Sequence, residues 1–128
     1  MTVVRARGFT LIEMLMVVVI IGILVTVMIP RFANTKEKAI VSTMKSDLRN
    51  LASAEESYYY DYSSYTTSLT LMPTFQPSPS VTITVHEATQ GGWSATAASS
   101  GVVRQCYLFV GSAVPVGAAT QDGQVACS

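Results

Sequence analysis

The chain has few of the side chains that catalysis and metal binding require. Its 128 residues include one histidine and two cysteines, and only 12% of them are charged. The sequence contains no phosphate-binding glycine loop and no grouping of Ser, His and Asp that would support nucleophilic catalysis. His86 and Glu87 are adjacent, so in a strand their side chains would point to opposite faces rather than act together. We therefore expect no enzyme, no metal site and no cofactor.

An excess of charge of one sign is also missing. The chain has eight basic and eight acidic residues and a formal net charge of zero. Arg5 and Arg7 precede the first apolar run, which leaves six basic residues against eight acidic residues in the remainder. Neither balance gives the positive excess that binding to nucleic-acid phosphates requires. We expect no specific nucleic-acid site.

What the chain does have is a nearly uninterrupted apolar run from Phe9 to Ile29. As a helix these residues would span about 31 Å, close to the hydrocarbon thickness of a bilayer. The run ends at Pro30 instead of the small-residue cleavage site of a conventional signal peptide, so we expect the apolar helix to be retained. It contains one acid, Glu13, and a carboxylate at the centre of a membrane helix costs roughly 2.5 to 3.5 kcal/mol. Glu13 is therefore a candidate functional residue that needs a partner.

The order of residues from Arg5 to Glu13 resembles the N-terminus of type IV pilin precursors, including the related pseudopilins of type II secretion. The shared elements are a short basic leader, a glycine followed by phenylalanine, and an acid at the fifth position after that glycine. The resemblance implies that a prepilin peptidase and methyltransferase cuts between Gly8 and Phe9 and methylates the new amine of Phe9. It also implies that Glu13 meets the N-terminal amine of a neighbouring subunit. An ordinary single-span anchor would explain the length of the apolar run but neither Gly8-Phe9 nor Glu13.

The resemblance implies an α+β fold of the type IV pilin kind, in which the C-terminal half of a long N-terminal helix packs on a small antiparallel β-sheet. We expect one helix from about Phe9 to Tyr62. Gly22 and Pro30 are landmarks of a segment that in such pilins can lose helical structure in the filament, and a tolerated glycine with a simple proline kink is the alternative. The predicted segments are the leader 1–8, the transmembrane and filament-core half 9–29, the amphipathic half 30–65 and the β-sheet part 66–128.

An apolar stripe with spacings of three and four residues predicts which face of the second helical half is buried. Its members are Val41, Met44, Leu48, Leu51, Glu55, Tyr58 and Tyr62. Glu55 interrupts the stripe, and the pattern leaves open whether it is paired or displaced to an edge. The charged residues expected to face water or neighbouring subunits are Lys36, Lys38, Lys45, Asp47, Arg49 and Glu56.

The sheet is predicted to follow a proline-rich connection from Thr66 to Ser80. Alternation and composition predict strands at Val81–Val85, Trp93–Ala97 and Gln105–Val110, in a sheet of three or four strands. The side chains expected to pack on the helical stripe are Val81, Ile83, Val85 and Trp93.

Two cysteines, Cys106 and Cys127, lie in the part that the resemblance places outside the membrane. An even pair in an exported domain favours a disulfide, and two separately buried thiols are the alternative. The pair also resembles the C-terminal disulfide loop of a pilin.

The resemblance implies a structural subunit of a type IV pilus that serves adhesion, motility or DNA uptake. Its partners would be copies of itself in a helical filament, the prepilin peptidase, the assembly machinery of the inner membrane, and membrane lipid before assembly. The precursor would cross the inner membrane once with its C-terminal domain outside, and the mature chain would lie in a cell-surface filament.

Three alternatives share this architecture. The first is a major pseudopilin of type II secretion; those proteins typically bind calcium through acids of a C-terminal loop, whereas here only Glu87 and Asp122 follow His86. The second is a minor pilin. The third is a membrane-anchored binding module that never polymerises, which would leave Gly8-Phe9 uncut and Glu13 without a partner.

Overall fold

The computed structural model describes residues 8–128, except for the side chains of residues 30, 31 and 33. The predicted leader therefore lies outside the described residues, apart from Gly8. The elements are the helix α1 (Leu11–Tyr62), a 3-10 turn (Leu69–Leu71), and the strands β1 (Thr82–Ala88), β2 (Gly92–Ala98), β3 (Cys106–Gly111) and β4 (Ala126–Cys127). The α+β arrangement is as predicted. Two compact units make up the chain, one ending at Thr35 and the other spanning Lys36–Ser128.

The four strands form one antiparallel sheet in the order β1-β2-β3-β4. A short turn joins β1 to β2. At the start of β2, Gly92 lies so close to the carbonyl oxygen of Val110 on β3 that a Cβ atom on residue 92 would collide with it. The register of β1 shifts between Val85 and Glu87, which leaves His86 in a bulge. The bulge lets β1 continue to Ala88, beyond the end predicted from simple alternation.

The predicted apolar stripe forms the helical side of the core. Met44, Leu48 and Leu51 have no exposed surface, and Trp93 on β2 is equally buried. They pack in one cluster with side chains of the first three strands, among them Ile83, Ala95, Ala97 and Leu108. The core thus lies between the second part of α1 and one face of the sheet.

Two residues predicted to lie in the core between helix and sheet, Tyr62 and Val85, are less buried than expected. Tyr62 is 66% exposed because it is the last residue of α1, and its ring stacks on Tyr58 with centroids 4.4 Å apart instead of packing in the core. Ser63 follows with a φ of +54°, a left-handed conformation that ends the helix. Val85, expected in the core, is only partly buried because it lies beside the bulge of β1.

Asp47 does not face water as the sequence predicted. It is only 4% exposed, and its carboxylate accepts hydrogen bonds from the backbone N–H of Ser78 at 2.9 Å and from the Ser78 hydroxyl at 3.0 Å. The connection between α1 and β1 crosses the helix here and also buries Met72 and Phe75. Asp47 therefore anchors this connection, which contains the 3-10 turn and is not wholly irregular.

Glu55 is buried within the stripe, not displaced to its edge. Its side chain has no exposed surface, and its Oε2 accepts a hydrogen bond from the backbone N–H of Thr66 at 3.0 Å. Its Oε1 has no partner among the described residues. Burial raises the pKa of Glu55 above its ordinary value, against the opposing effect of the Thr66 hydrogen bond, with a smaller upward contribution from Glu56. A buried carboxyl in this setting favours its neutral form.

Stability should fall with rising pH because of Glu55. The carboxyl loses its proton near 4.5 in the unfolded chain but at a higher pH in the folded chain. The unfolded state therefore binds fewer protons between these values, and the free energy of unfolding decreases as pH rises through that interval. Replacing Glu55 by Gln should flatten this part of the pH profile. Thermal unfolding of the full-length chain in detergent, followed by the fluorescence of its single tryptophan, Trp93, measures the effect.

The matched control is Asp61→Asn, because Asp61 is an exposed acid on the same helix that does not contribute to the raised pKa of Glu55. That variant should keep the slope of the wild-type profile. An unchanged slope in Glu55→Gln would show that the buried carboxyl does not govern the pH dependence.

Candidate functional site

The first part of α1 is apolar and exposed all round. Between Leu11 and Ile29 its large apolar side chains are 45% to 85% exposed. By length and composition this helix is able to cross a membrane. A helix that is hydrophobic on all sides belongs in an apolar environment, and an exposed apolar surface of this extent marks a membrane or protein contact.

Glu13 caps the start of this helix. Its Oε2 accepts hydrogen bonds from the backbone N–H of Thr10 at 2.7 Å and from the Thr10 hydroxyl at 2.9 Å. In return the Thr10 hydroxyl oxygen accepts a bond from the backbone N–H of Glu13 at 3.3 Å. This reciprocal pattern is a capping box, which satisfies N–H groups that the first turn of a helix leaves without partners. Oε1 accepts no bond within the described residues, so the carboxylate keeps capacity for a donor from outside.

Gly8 and Phe9 precede the helix in a segment without regular secondary structure. Phe9 is 81% exposed, and apart from its chain neighbours no described residue lies within 4 Å of the position that a Cβ would take on Gly8. The peptide bond between these residues is therefore accessible and outside regular structure, as a proteolytic site requires.

The two predicted landmarks of helix melting, Gly22 and Pro30, both fall within the bounds of α1. A Cβ on Gly22 would meet nothing within 4 Å, so packing within the chain does not demand glycine there. The loss of helical structure between these positions on assembly stays a prediction.

The C-terminal segment is fastened at several points. Cys106 and Cys127 form the predicted disulfide and pair across β3 and β4. Beside them Gln105 and Ser128 exchange two backbone hydrogen bonds of 3.0 Å. These contacts tie the last residues of the chain to the first residues of β3.

The two acids after His86 also hold this segment. Glu87 Oε2 accepts the backbone N–H of Val114 at 3.0 Å, and Asp122 Oδ1 accepts the backbone N–H of Gly111 at 2.8 Å. Each carboxylate is used separately, and within residues 8–128 the structure contains no group of three or more His, Cys, Asp or Glu that could hold a metal.

Comparison with known proteins finds a matching motif at the N-terminus and several relatives. Residues 4–29 match the prokaryotic N-terminal methylation motif. The chain is 35% identical over 89 residues to the type II secretion system core protein G of Klebsiella pneumoniae, an alignment covering 70% of this chain and 64% of that protein. It is 41% identical over 61 residues to the type IV major pilin protein PilA of Myxococcus xanthus, covering 48% and 28% respectively. The chain thus carries the N-terminal methylation motif of prepilins, and its homologues are pseudopilins of type II secretion and a type IV pilin.

A second core protein G, from Pectobacterium carotovorum subsp. carotovorum, is 38% identical over 81 residues, which cover 59% of this pilin-like chain and 52% of that protein. The chain thus spans between about half and two thirds of the length of these two core protein G relatives.

The structure adds Thr10 to the residues that the pilin-type motif predicts. Sequence reasoning singled out Glu13 but assigned it no partner within the chain. The order Thr10-Leu11-Ile12-Glu13 carries the signal of a capping box, a threonine followed three residues later by a glutamate ahead of an apolar run. The carboxylate of Glu13 therefore has a contact within the chain as well as a predicted contact with a neighbouring copy.

Replacing Thr10 by Val should loosen the start of α1. The change removes the hydroxyl that bonds to both the carboxylate and the backbone of Glu13, and loss of such a cap costs about 1 kcal/mol. We expect amide hydrogen exchange in the first helical turn to become roughly fivefold faster in detergent. Thr26→Val is the control, because its hydroxyl bonds only to the carbonyl of Ile23 in mid-helix. Equal protection in the Thr10 variant and the wild type would contradict the capping role.

Removing the disulfide should destabilise the globular unit. Cys106 and Cys127 are 21 residues apart, and a cross-link closing a loop of this size stabilises by about 3 kcal/mol. The double substitution Cys106→Ala and Cys127→Ala should lower the free energy of unfolding by this order. Denaturant titration with Trp93 fluorescence measures the change, and reduced wild-type protein should reproduce it. A double variant as stable as the oxidised wild type would contradict the prediction.

Proposed function

We propose that this chain is a structural subunit of a type IV pilus and not an enzyme. The observation that carries the proposal is the exposed apolar helix that has Glu13 in its first turn and follows an accessible Gly8-Phe9 bond. These features are explained if the leader is cleaved at that bond and Phe9 is methylated. Many such helices would then pack together into a helical filament.

The pairing of Glu13 with the amine of Phe9 on a neighbouring copy would follow from desolvation. When apolar helices pack together, an isolated charge among them is costly, whereas two opposite charges in contact are tolerated. Glu13 Oε1 accepts no bond within the described chain and is able to receive this amine while Oε2 keeps its bonds to Thr10. A subunit out of register would bury both charges apart, so the pair would select one register.

Before assembly, the same helix would cross the inner membrane once, with the globular unit outside. Lipid would cover the apolar side chains until neighbouring subunits replace it. The proposed partners are the prepilin peptidase, the assembly machinery of the inner membrane and further copies of the chain.

A major pseudopilin of type II secretion is the second candidate, and the relatives named core protein G favour it. Two observations support the pilus assignment instead. The Cys106–Cys127 disulfide ties down the C-terminal segment. Glu87 and Asp122, the acids available to a calcium site, each bond to a backbone N–H. A minor pilin would share the cleavage and the fold but would be scarce in filaments.

Replacing Glu13 by Ala should greatly reduce assembly without preventing membrane insertion. The variant removes the acceptor for the neighbouring amine and leaves that charge unpaired among apolar helices, a loss on the order of 3 kcal/mol per subunit contact. Electron microscopy of sheared surface filaments, with mass spectrometry of the N-terminus of their subunits, measures the outcome. Glu37→Ala is the matched control, since Glu37 lies on the same helix outside the apolar run.

The results separate the candidates. Long filaments of subunits that begin at methylated Phe9, lost in Glu13→Ala and kept in Glu37→Ala, would support a pilus subunit. Cleaved subunits confined to the cell envelope would favour the pseudopilin. An uncut chain with an intact Gly8-Phe9 bond would point to the anchored binding module and overturn both.

A further inference from the structure

The basic side chains of the globular unit are left without acidic partners. In the part of the chain whose side chains the structure describes, no lysine or arginine forms an ion pair. The basic residues concerned are Lys36, Lys38, Lys45, Arg49 and Arg104. Lys38 and Lys45 have no acid three or four residues away on α1, the distances at which helical side chains meet. Their charge is available to a group outside the chain.

Three of these cations surround one cleft. Lys38 and Lys45 on α1 and Arg104 on the β2–β3 connection line a cleft of about 350 Å³, and no carboxylate is among its lining residues. Next to it stands Val103, which is 98% exposed, more than any other large apolar side chain of the described residues. This end of the unit therefore presents an apolar side chain beside concentrated positive charge.

The connection that carries Val103 is held in place by local bonds. The backbone N–H of Gly101 donates to the Ser99 hydroxyl at 3.3 Å, and the backbone pairing of Gln105 with Ser128 closes the other side. A Cβ on Gly101 would touch Ile40 at 3.0 Å, so the connection lies close against α1. A contact made by Val103 needs little further ordering, which lowers the entropic cost of binding.

The opposite end of the unit offers an apolar groove with an acid. A cavity of about 300 Å³ lies between the last turns of α1 and the connection to β1, and its apolar wall includes Tyr58, Tyr62, Leu71 and Met72. Tyr62 and Leu71 are 66% and 54% exposed, so the groove is uncovered within the chain. Asp61 belongs to the same lining, is exposed and has no ion pair or hydrogen bond among the described residues.

These two surfaces lie far apart on one rigid element. Lys38, at the basic cleft, and Asp61, at the groove, are both on α1 and are separated by about 35 Å at 1.5 Å per residue. Complementary surfaces at different places on the same chain join head to tail, and such heterologous contacts generate open helical polymers unless they close into rings.

We propose that Val103 of one copy docks in the groove lined by Tyr62 and Leu71 of the next copy, where Arg104 pairs with Asp61. The occupant is a second copy of this chain because the apolar side chain, the groove and both unpaired charges belong to one sequence. The proposal rests on the proposed filament function, for which it names a contact between globular units. The apolar anchor supplies contact area, and the charge pair supplies orientation.

Disulfide trapping tests this contact in the full-length chain within cells. Both native cysteines are bonded to each other, so a new pair reports only on itself. The double variant Val103→Cys with Leu71→Cys should form intermolecular ladders on mild oxidation, with about tenfold more cross-linked chain than either single variant, whose one free thiol joins two copies at most. The fluorescence of Trp93 checks that each variant is folded. Ladders and filaments are scored in the sheared fraction and in membranes.

The two readouts separate the contact from the filament function. Filaments without ladders from the double variant would overturn the contact and leave the proposed function standing. Ladders in membranes without filaments would support the contact and count against the pilus. A cross-linked dimer from Val103→Cys alone would mean a symmetric contact, and an adduct with another protein would mean a different occupant; either result would overturn the proposal. Absence of both filaments and ladders would overturn both proposals.

A charge exchange gives a second test. Arg104→Asp and Asp61→Arg should each reduce filament yield, and the two changes together should restore it, since the pair is then re-formed with exchanged signs. Val103→Ser should also reduce the yield, whereas Val114→Ser, at a valine 68% exposed outside both surfaces, should not. No recovery in the double charge variant, or equal yields from the two valine variants, would contradict the contact.

Discussion

The rest of this protein depends on one constraint: no other described part of the chain packs against the apolar surface of its first helical segment. From Leu11 to Ile29 the helix offers hydrocarbon on every side, and only lipid or other apolar helices can surround it. Its backbone hydrogen bonds are satisfied within the helix, as a lipid environment requires. The chemistry that distinguishes the two settings is concentrated at Glu13, the single charged side chain of the run.

The globular unit uses its carboxylates to fasten loops. Asp47, Glu87 and Asp122 each accept a backbone N–H from another segment of the chain, and so does the buried Glu55, whose raised pKa favours its neutral form. Each bond satisfies an N–H that would otherwise need water, and hydrogen bonds to a carboxylate are stronger than those between neutral groups. None of these four acids forms an ion pair with a described lysine or arginine, so the basic charge around Arg104 is left unpaired within the unit.

Buried positions and strands that follow from hydrophobic periodicity are predicted correctly from the sequence. Contacts made where a loop crosses another element are missed. The buried positions Met44, Leu48 and Leu51 follow from the helical repeat, and the strands follow from alternation. Asp47 is misplaced because hydropathy treats any carboxylate as solvent-facing, whereas the loop that meets it through Ser78 is visible only in three dimensions. Strand β4 has only two residues, too few to show an alternation of apolar and polar side chains. The two cysteines whose disulfide joins β4 to β3 are the better sequence signal for this pairing. The Thr10 contact of Glu13 is different, because its capping-box signal is present in the sequence.

Apolar packing by itself does not determine how copies of the chain would align. The hydrophobic effect is non-directional, so apolar helices covered by one another gain similar free energy in many relative positions. Directional contacts have to select among these. The pairing proposed for Glu13 would supply one near the start of the chain, where any other register would bury an unpaired charge. The contact proposed between the Val103 and Asp61 surfaces would supply another in the globular unit. Two directional contacts at separate places on a chain define a single repeating step, which a filament needs in order to grow without error.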